Sequence, residues 1–270
     1  GFLFRVDMRL RPFGDAGPLI MSFNALEDYY QSQGREWERY AMIKAKTIAG
    51  DKTAGKDLLQ RLRPFIYRRY LDYGVYDSLR EMKTKIATEL ERKKLEDNIK
   101  IGAGGIREIE FFGQIFQLVR GGVEAYLQER SILKVLSVLA RENYITPAVC
   151  SELTEAYRFL RLAENRLQEY SDQQMHELPK DEKERIRLAA SLGYDDWDSF
   201  YRQLTFHTEK VHFHFNDLLS QEEESNGTDL TEADLSEVWL GQADTEEIEK
   251  TMTAAGYNEI DEVVRCLNWL

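Results

Sequence analysis

Residues 1–11 read GFLFRVDMRLR, and their parity decides what kind of domain the chain opens in. Phe2, Phe4, Val6, Met8 and Leu10 share one parity, and Arg5, Asp7, Arg9 and Arg11 share the other. Successive side chains of an extended strand point to opposite faces, so this alternation predicts a half-buried strand with one apolar and one charged face. A lone strand is unstable and needs sheet partners. From about Ser22 onward the apolar spacing becomes 3 and 4, the helical period, with breaks at Gly34, Gly50, Pro64, Gly74, Gly121, Pro147, Pro179 and Gly193. The expected fold class is α+β, predominantly α: the tail end of a sheet domain followed by a helical bundle.

Composition bounds the rest. A chain of 270 residues with 43% hydrophobic content can bury a core. It has no apolar run long enough for a membrane span and no secretory pattern, so a cytoplasmic protein is expected. Cys150 and Cys266 lack metal-like or redox-like spacing. The formal net charge of −12 is local: residues 1–220 hold 34 acids and 34 bases, whereas 221–262 hold 14 acids and one Lys. Neither part suggests nucleic-acid binding. The run at 221–228, QEEESNGT, has linker composition. The expected divisions are therefore 1–50, the end of the sheet domain; 51–220, the helical bundle; and 221–270, an acidic linker with the start of a helical connector.

The charged face of the opening strand carries the sharpest chemical signal. Period-2 geometry places Asp7 among Arg5, Arg9 and Arg11. A carboxylate is a hard oxygen ligand for a divalent cation, and planar guanidiniums grip phosphate oxygens in pairs. The same pattern also suits an exposed sheet face laced with Arg–Asp pairs. The turn that follows, residues 12–18 (PFGDAGP), has glycines that allow close backbone approach.

Four stretches then converge on one family: 1–19 (GFLFRVDMRLRPFGDAGPL), 37–46 (WERYAMIKAK), 102–111 (GAGGIREIEF) with Gln114 and Gln117, and 160–168 (LRLAENRLQ) leading to His176-Glu177-Leu178-Pro179. Over residues 1–219 the chain resembles the glutamine synthetase adenylyltransferase family. The resemblance implies a polymerase-beta-like nucleotidyltransferase sheet domain followed by a helical domain. It implies an enzyme with two catalytic halves, one attaching AMP to a tyrosine of glutamine synthetase and one removing it by phosphorolysis to ADP. With Met8 and Phe13 in the strand motif, the chain looks more like the removing half. Glutamine synthetase and the PII signal protein are the implied partners, and Mg²⁺ with ATP, ADP or phosphate the implied cofactor and substrates.

Carried over to this sequence, Asp7 resembles the third metal carboxylate, and Arg9 and Arg11 resemble the groups that steady the transferring phosphoryl. Arg39, Lys44 and Lys46 extend the positive site toward nucleotide phosphates, or else lie on a solvated amphipathic segment with Trp37 and Tyr40 packed inward. The family's Gly-Ser and Asp-x-Asp motifs do not precede Gly1, and one Asp cannot hold the metal by itself. The chain is therefore expected to be inactive alone and to belong to a longer protein. Two alternatives stay open: a PII-uridylyltransferase-like fragment, and a non-catalytic module binding glutamine synthetase or PII.

Two further patterns need a structural answer. Gly102, Gly104 and Gly105 precede a helical pattern, so their N–H groups could bind an anion with Arg107 beside them, although the spacing is not that of a Walker loop. Arg107, Glu110, Gln114 and Gln117 form one polar stripe, and Arg161, Glu164, Asn165 and Gln168 a second. Such rows pair in satisfied networks, so Arg107 or Glu110 is expected to reach the 161–168 helix. His207, His212 and His214 are not spaced as a ligand pair, His176 reads as a loop residue, and Asp196 reads as part of a helix cap.

Overall fold

Short polar side chains set most of the helix starts. In the structure, a computed structural model that describes Met8 and residues 10–68, 97–171 and 175–225, Ser22 accepts from Ala25 N (3.2 Å) and opens α1, Phe23–Ser32. Glu38 of α2, Glu36–Ile43, folds back onto the Arg35 N–H (2.8 Å). Asp51 accepts from Thr53 N and Ala54 N (2.9 and 3.0 Å) ahead of α3, Lys52–Arg61, and α4 is the single turn Arg63–Ile66. Each bond satisfies an N–H that the first helical turn would leave unpaired.

The second group of helices begins with α5, Ile106–Arg120, followed by α6, Ile132–Arg141, and the long α7, Pro147–Ser171. Asp181 caps α8, Glu182–Ser191, through Lys183 N and Glu184 N (3.0 and 3.2 Å). Asp196 accepts from Ser199 N (2.7 Å) at the start of α9, Trp197–Ser225, as its sequence position suggests. Pro147 supplies a first helical residue whose fixed φ suits that position, and Gly193 (φ +84°) follows the end of α8.

The chain divides into two compact units, Gly1–Asn216 and Asp217–Leu270. In the first, α1 packs on α3, α3 on α4, α4 on α2, and α2 on α5, while α5, α6 and α7 pack on one another and α8 packs on α7. Spacing in α6 explains the centre of this core: Ile132, Val135, Leu136 and Leu139 form one stripe and are all nearly inaccessible. Leu153, Ala156, Leu160 and Ala163 answer from α7, with small residues admitting the partner helix. Phe200 of α9 is fully buried and stacks on Phe159 (centroids 5.8 Å).

Predominantly helical architecture agrees with the spacing from Ser22 onward. Among the described residues the β-pairing is a single antiparallel bridge, Asn98 with Glu177, closed by Ile99 N to His176 O (2.9 Å) and Leu178 N to Asp97 O (3.0 Å). The strand expected over 1–11 lies mostly outside the described residues; Met8, Leu10 and Arg11 are described and are not in a strand.

Candidate functional site

Asp7 and Arg9 lie outside the described residues, as does Arg5, and Arg11 is the described member of that charged set. Phe13 (φ 62°) and Gly14 (φ 57°) both occupy the left-handed region and turn the chain into the 3-10 segment Gly14–Ala16. Arg11 spans this turn with three donors, Nε to Gly17 O (3.1 Å), Nη1 to Met8 O (2.5 Å) and Nη2 to Asp15 O (3.1 Å). Its guanidinium therefore organises backbone carbonyls. The Phe13 ring meets Tyr29 edge-on at 4.7 Å, anchoring the turn to α1.

The three cations expected beside the nucleotide separate. Arg39 is 1% exposed, pairs with Glu36 (2.6 Å) and reaches Ile66 O (3.4 Å), while its Nε has no acceptor. It joins α2 to α4. Lys44 donates Nζ to Arg130 O (2.9 Å), and Arg130 returns Nε to Lys44 O (3.2 Å). Burial pushes the Lys44 ammonium below its ordinary pKa, with Arg161 and Arg130 acting the same way and Glu110 and Glu129 opposing. Lys46 is exposed. Of the two aromatic residues expected to pack inward, Tyr40 does so at 8% exposure and Trp37 does not, at 42%.

The glycine loop before α5 is closed by the protein itself. Gly104 N donates to Glu108 Oε2 (2.9 Å), Gly105 N to Gly102 O (2.9 Å), Ile106 N to Ile99 O (3.1 Å) and Arg107 N to Lys100 O (2.9 Å). Donors expected for an anion thus already have oxygen acceptors. Gly104 (φ +70°) is required for contact with α9, because a Cβ there would lie 1.9 Å from Thr208 O. Arg107 is exposed and lies over the Phe111 ring at 5.6 Å.

The two polar stripes do meet, through Glu110 and not through Arg107. Arg161 donates Nη2 to Glu110 Oε1 (3.0 Å), Nη1 to Glu164 Oε2 (2.6 Å) and Nε to Tyr157 Oη (3.1 Å), while Tyr157 Oη donates to Glu110 (3.3 Å). Glu164, 5% exposed at its side chain, also meets Lys100 (3.4 Å) and His176 (3.1 Å), and Gln168 lies 3.4 Å from His176 Nδ1. Burial raises the Glu164 pKa, but Arg161, Lys100 and His176 outweigh it and hold the carboxyl below its usual range. Burial likewise depresses His176, helped by Lys100 and Arg161 and opposed by Glu164. His176 is therefore a network member, and the spacing that would have shown Tyr157 is its position four residues before Arg161.

Gln117 forms a second buried node. It is 1% exposed and donates Nε2 to Leu127 O (2.6 Å) and Glu129 O (2.7 Å), fixing the loop between α5 and α6. Asn165 is exposed and stands apart from both nodes. The histidines of α9 pair with carboxylates or rings: His212 with Glu108 (3.2 Å), His214 with Glu152 (2.6 Å), and His207 against Phe159 (4.8 Å). Among the described residues no group of three or more His, Cys, Asp or Glu is placed to hold a metal. No described helix is long and apolar enough to cross a membrane.

Comparison with known proteins matches two family models, one described as GlnD PII-uridylyltransferase over residues 80–219 and one as glutamate-ammonia ligase adenylyltransferase over residues 1–61. A protein of Nitrosococcus oceani named bifunctional glutamine synthetase adenylyltransferase/adenylyl-removing enzyme is 52% identical over all of this chain and 28% of its own length. A protein of the same name from Pseudomonas putida is 47% identical over 99% of this chain and 28% of its own length. A third, from Hahella chejuensis, is 44% identical over all of this chain and 28% of its own length. The chain thus spans under a third of these curated relatives.

Proposed function

The chain belongs to the glutamine synthetase adenylyltransferase family, sharing residues 80–219 with the GlnD PII-uridylyltransferase family, and from that premise we propose that it serves a nucleotidyltransferase that adenylylates and deadenylylates a tyrosine of glutamine synthetase. Its part in that enzyme is the phosphorolytic, deadenylylating half: the edge of a polymerase-beta-like catalytic domain and the helical domain behind it. The observation that carries this reading is 52% identity over the whole chain to a relative bearing that name. PII is the proposed signalling partner.

The division of labour among these residues is part of the same proposal. Asp7 and Arg9 are proposed to face the reacting phosphoryl, with Asp7 as a metal carboxylate and Arg9 stabilising developing negative charge. Arg11 has its guanidinium on three carbonyls of the turn, so its proposed role is to hold that turn beside the strand. Lys46, exposed after α2, and Arg107, exposed on α5, remain the proposed phosphate-facing cations. Arg39, Lys44, Gly104 and Gly105 are proposed to act as the frame behind them: Arg39 is held by Glu36 and Ile66 O, and Lys44 Nζ and the two glycine N–H groups donate within the protein. The described residues do not by themselves make a Mg²⁺ site. In this family Mg²⁺ would neutralise phosphate charge when bound.

Replacing Asp7 with Asn in the full-length enzyme tests the reading. Phosphate-dependent release of ADP from adenylylated glutamine synthetase should fall about 10²-fold or more, with the helical domain still folded. Wild-type turnover in that variant would remove Asp7 from the site. The 80–219 match favours a second reading, a helical unit of a PII uridylyltransferase. Uridylylation of PII by the full-length protein, with no action on glutamine synthetase, would select it.

A further inference from the structure

Lys46 follows α2 on a stretch, residues 45–48, that is neither helix nor strand. A side chain on such a stretch keeps one position only where other groups hold the backbone. Two anchors flank Lys46. On one side Thr47 seats against α3, where a Cβ placed at Gly55 would lie 2.5 Å from Thr47 Cγ2 and Oγ1. On the other side Lys44 and Arg130 exchange hydrogen bonds across 86 residues of sequence, Lys44 Nζ donating to Arg130 O (2.9 Å) and Arg130 Nε to Lys44 O (3.2 Å).

The Arg130 side of this clasp is itself fixed. Gln117 of α5 donates to Leu127 O (2.6 Å) and Glu129 O (2.7 Å), and Glu129 Oε1 accepts from Arg130 N (2.8 Å) and Ser131 N (3.1 Å). Residues 127–131 thus form a shelf ahead of α6, and the chain leaving α2 ends on it. Two residues of chain span at most about 7 Å, so a shift at Lys44 O is carried to Lys46. We propose that Arg130 is a positioning residue for Lys46, holding the Lys44 carbonyl and so setting where the Lys46 ammonium meets a substrate phosphate. This rests on the reading of Lys46 as a phosphate-facing cation of a nucleotidyltransferase. It adds that the loop between α5 and α6, far away in sequence, sets the affinity for that phosphate.

The test measures phosphate-dependent ADP release from adenylylated glutamine synthetase by the full-length enzyme, with kcat and the KM for phosphate read separately. Gln and Met both match the reach of Arg as far as Nε, neither is charged, and only Gln carries an N–H there. Lys46→Met should raise the phosphate KM about tenfold, as expected for the loss of one charge-assisted bond. Arg130→Met should raise it about threefold or more with kcat within about twofold, the pattern of lost substrate binding. Arg130→Gln should stay within about twofold of the parent, and Arg130→Met should add less than about twofold to Lys46→Met, because the two residues act as one unit. Arg130→Gln as impaired as Arg130→Met would mean that the guanidinium itself grips phosphate, and full additivity in the double variant would mean that Arg130 acts elsewhere; either overturns the proposal. An unchanged phosphate KM in Arg130→Met or in Lys46→Met overturns it as well. A parent enzyme that uridylylates PII and leaves glutamine synthetase untouched sinks the reading of the reaction instead, and the same variants then decide the role of Arg130 through the KM for UTP.

Discussion

Arg161 Nη2 lies 3.0 Å from Glu110 Oε1 and so ties α7 to α5 across 51 residues of sequence. The same guanidinium holds Glu164, whose side chain is only 5% exposed, so its removal strands a buried carboxylate.

Arg161→Met is therefore expected to lower unfolding free energy by about 3 kcal/mol, the lower end of the cost of breaking a buried pair, because Lys100 and His176 still face Glu164. Arg107→Met should change it by no more than about 0.5 kcal/mol, since Arg107 is exposed. Urea denaturation of both variants checks the pair, and a larger loss in Arg107→Met would mean that the wrong residue of the stripe has been placed in the network.

Gln117→Leu should cost about 1–3 kcal/mol, because it leaves the Leu127 and Glu129 carbonyls without their shared donor. The loss should appear first as faster amide exchange in the loop between α5 and α6. Unchanged exchange there would show that water replaces the amide.

These nodes mark how far the sequence could be read. Helical spacing showed that the chain after about Ser22 is mostly helical and set out the two polar stripes, because a 3.6-residue period is a local property of the chain. The partner of a stripe is not local. Glu110 and Arg107 occupy adjacent turns of one helix, and only the position of α7 decides which of them meets Arg161. Arg39 reads as a solvent-facing cation until α4 covers it, and the Gly102–Gly105 run reads as an anion loop until Glu108 and the 99–100 carbonyls take its donors. Arg11 shares a parity with Asp7 and Arg9, yet the turn after it, closed by Phe13 and Gly14 at positive φ, draws its guanidinium onto backbone carbonyls.

Acid should weaken the fold in two steps. His207 and His176 are both depressed below 6.5, first by burial; Lys210 adds to this and Glu155 opposes it at His207, while Lys100 and Arg161 add to it and Glu164 opposes it at His176. A histidine with a depressed folded pKa stabilises the fold above its unfolded pKa, and that contribution is lost as pH falls from 6.5 through the folded value. Glu164, held below its ordinary 4.5, loses its contribution only as pH falls below 4.5 through the lower folded value. Unfolding free energy measured against pH should thus decline first below 6.5, and His207→Phe should flatten that first decline while leaving the second. An equal decline in the variant would assign the first step to other groups.

Gly104 and Gly50 separate backbone conformation from close approach. Both have positive φ, +70° and +78°, so alanine is strained at either site by about 1–2 kcal/mol. At Gly50 a Cβ meets nothing within 4 Å, and that strain should be the whole effect. At Gly104 the Cβ would lie 1.9 Å from Thr208 O and 2.6 Å from Thr208 Cα, backbone atoms of α9 that cannot move without shifting the helix. Moving α9 also pulls on His212, which meets Glu108, and Glu108 is the acceptor for the Gly104 N–H itself. Gly104→Ala is therefore expected to cost more than Gly50→Ala by at least about 2 kcal/mol, in the range of overpacked core sites, and to change the His212 ring resonances while Gly50→Ala leaves them in place. Equal losses in the two variants, with His212 unmoved in both, would mean that α9 does not press on the loop at Gly104.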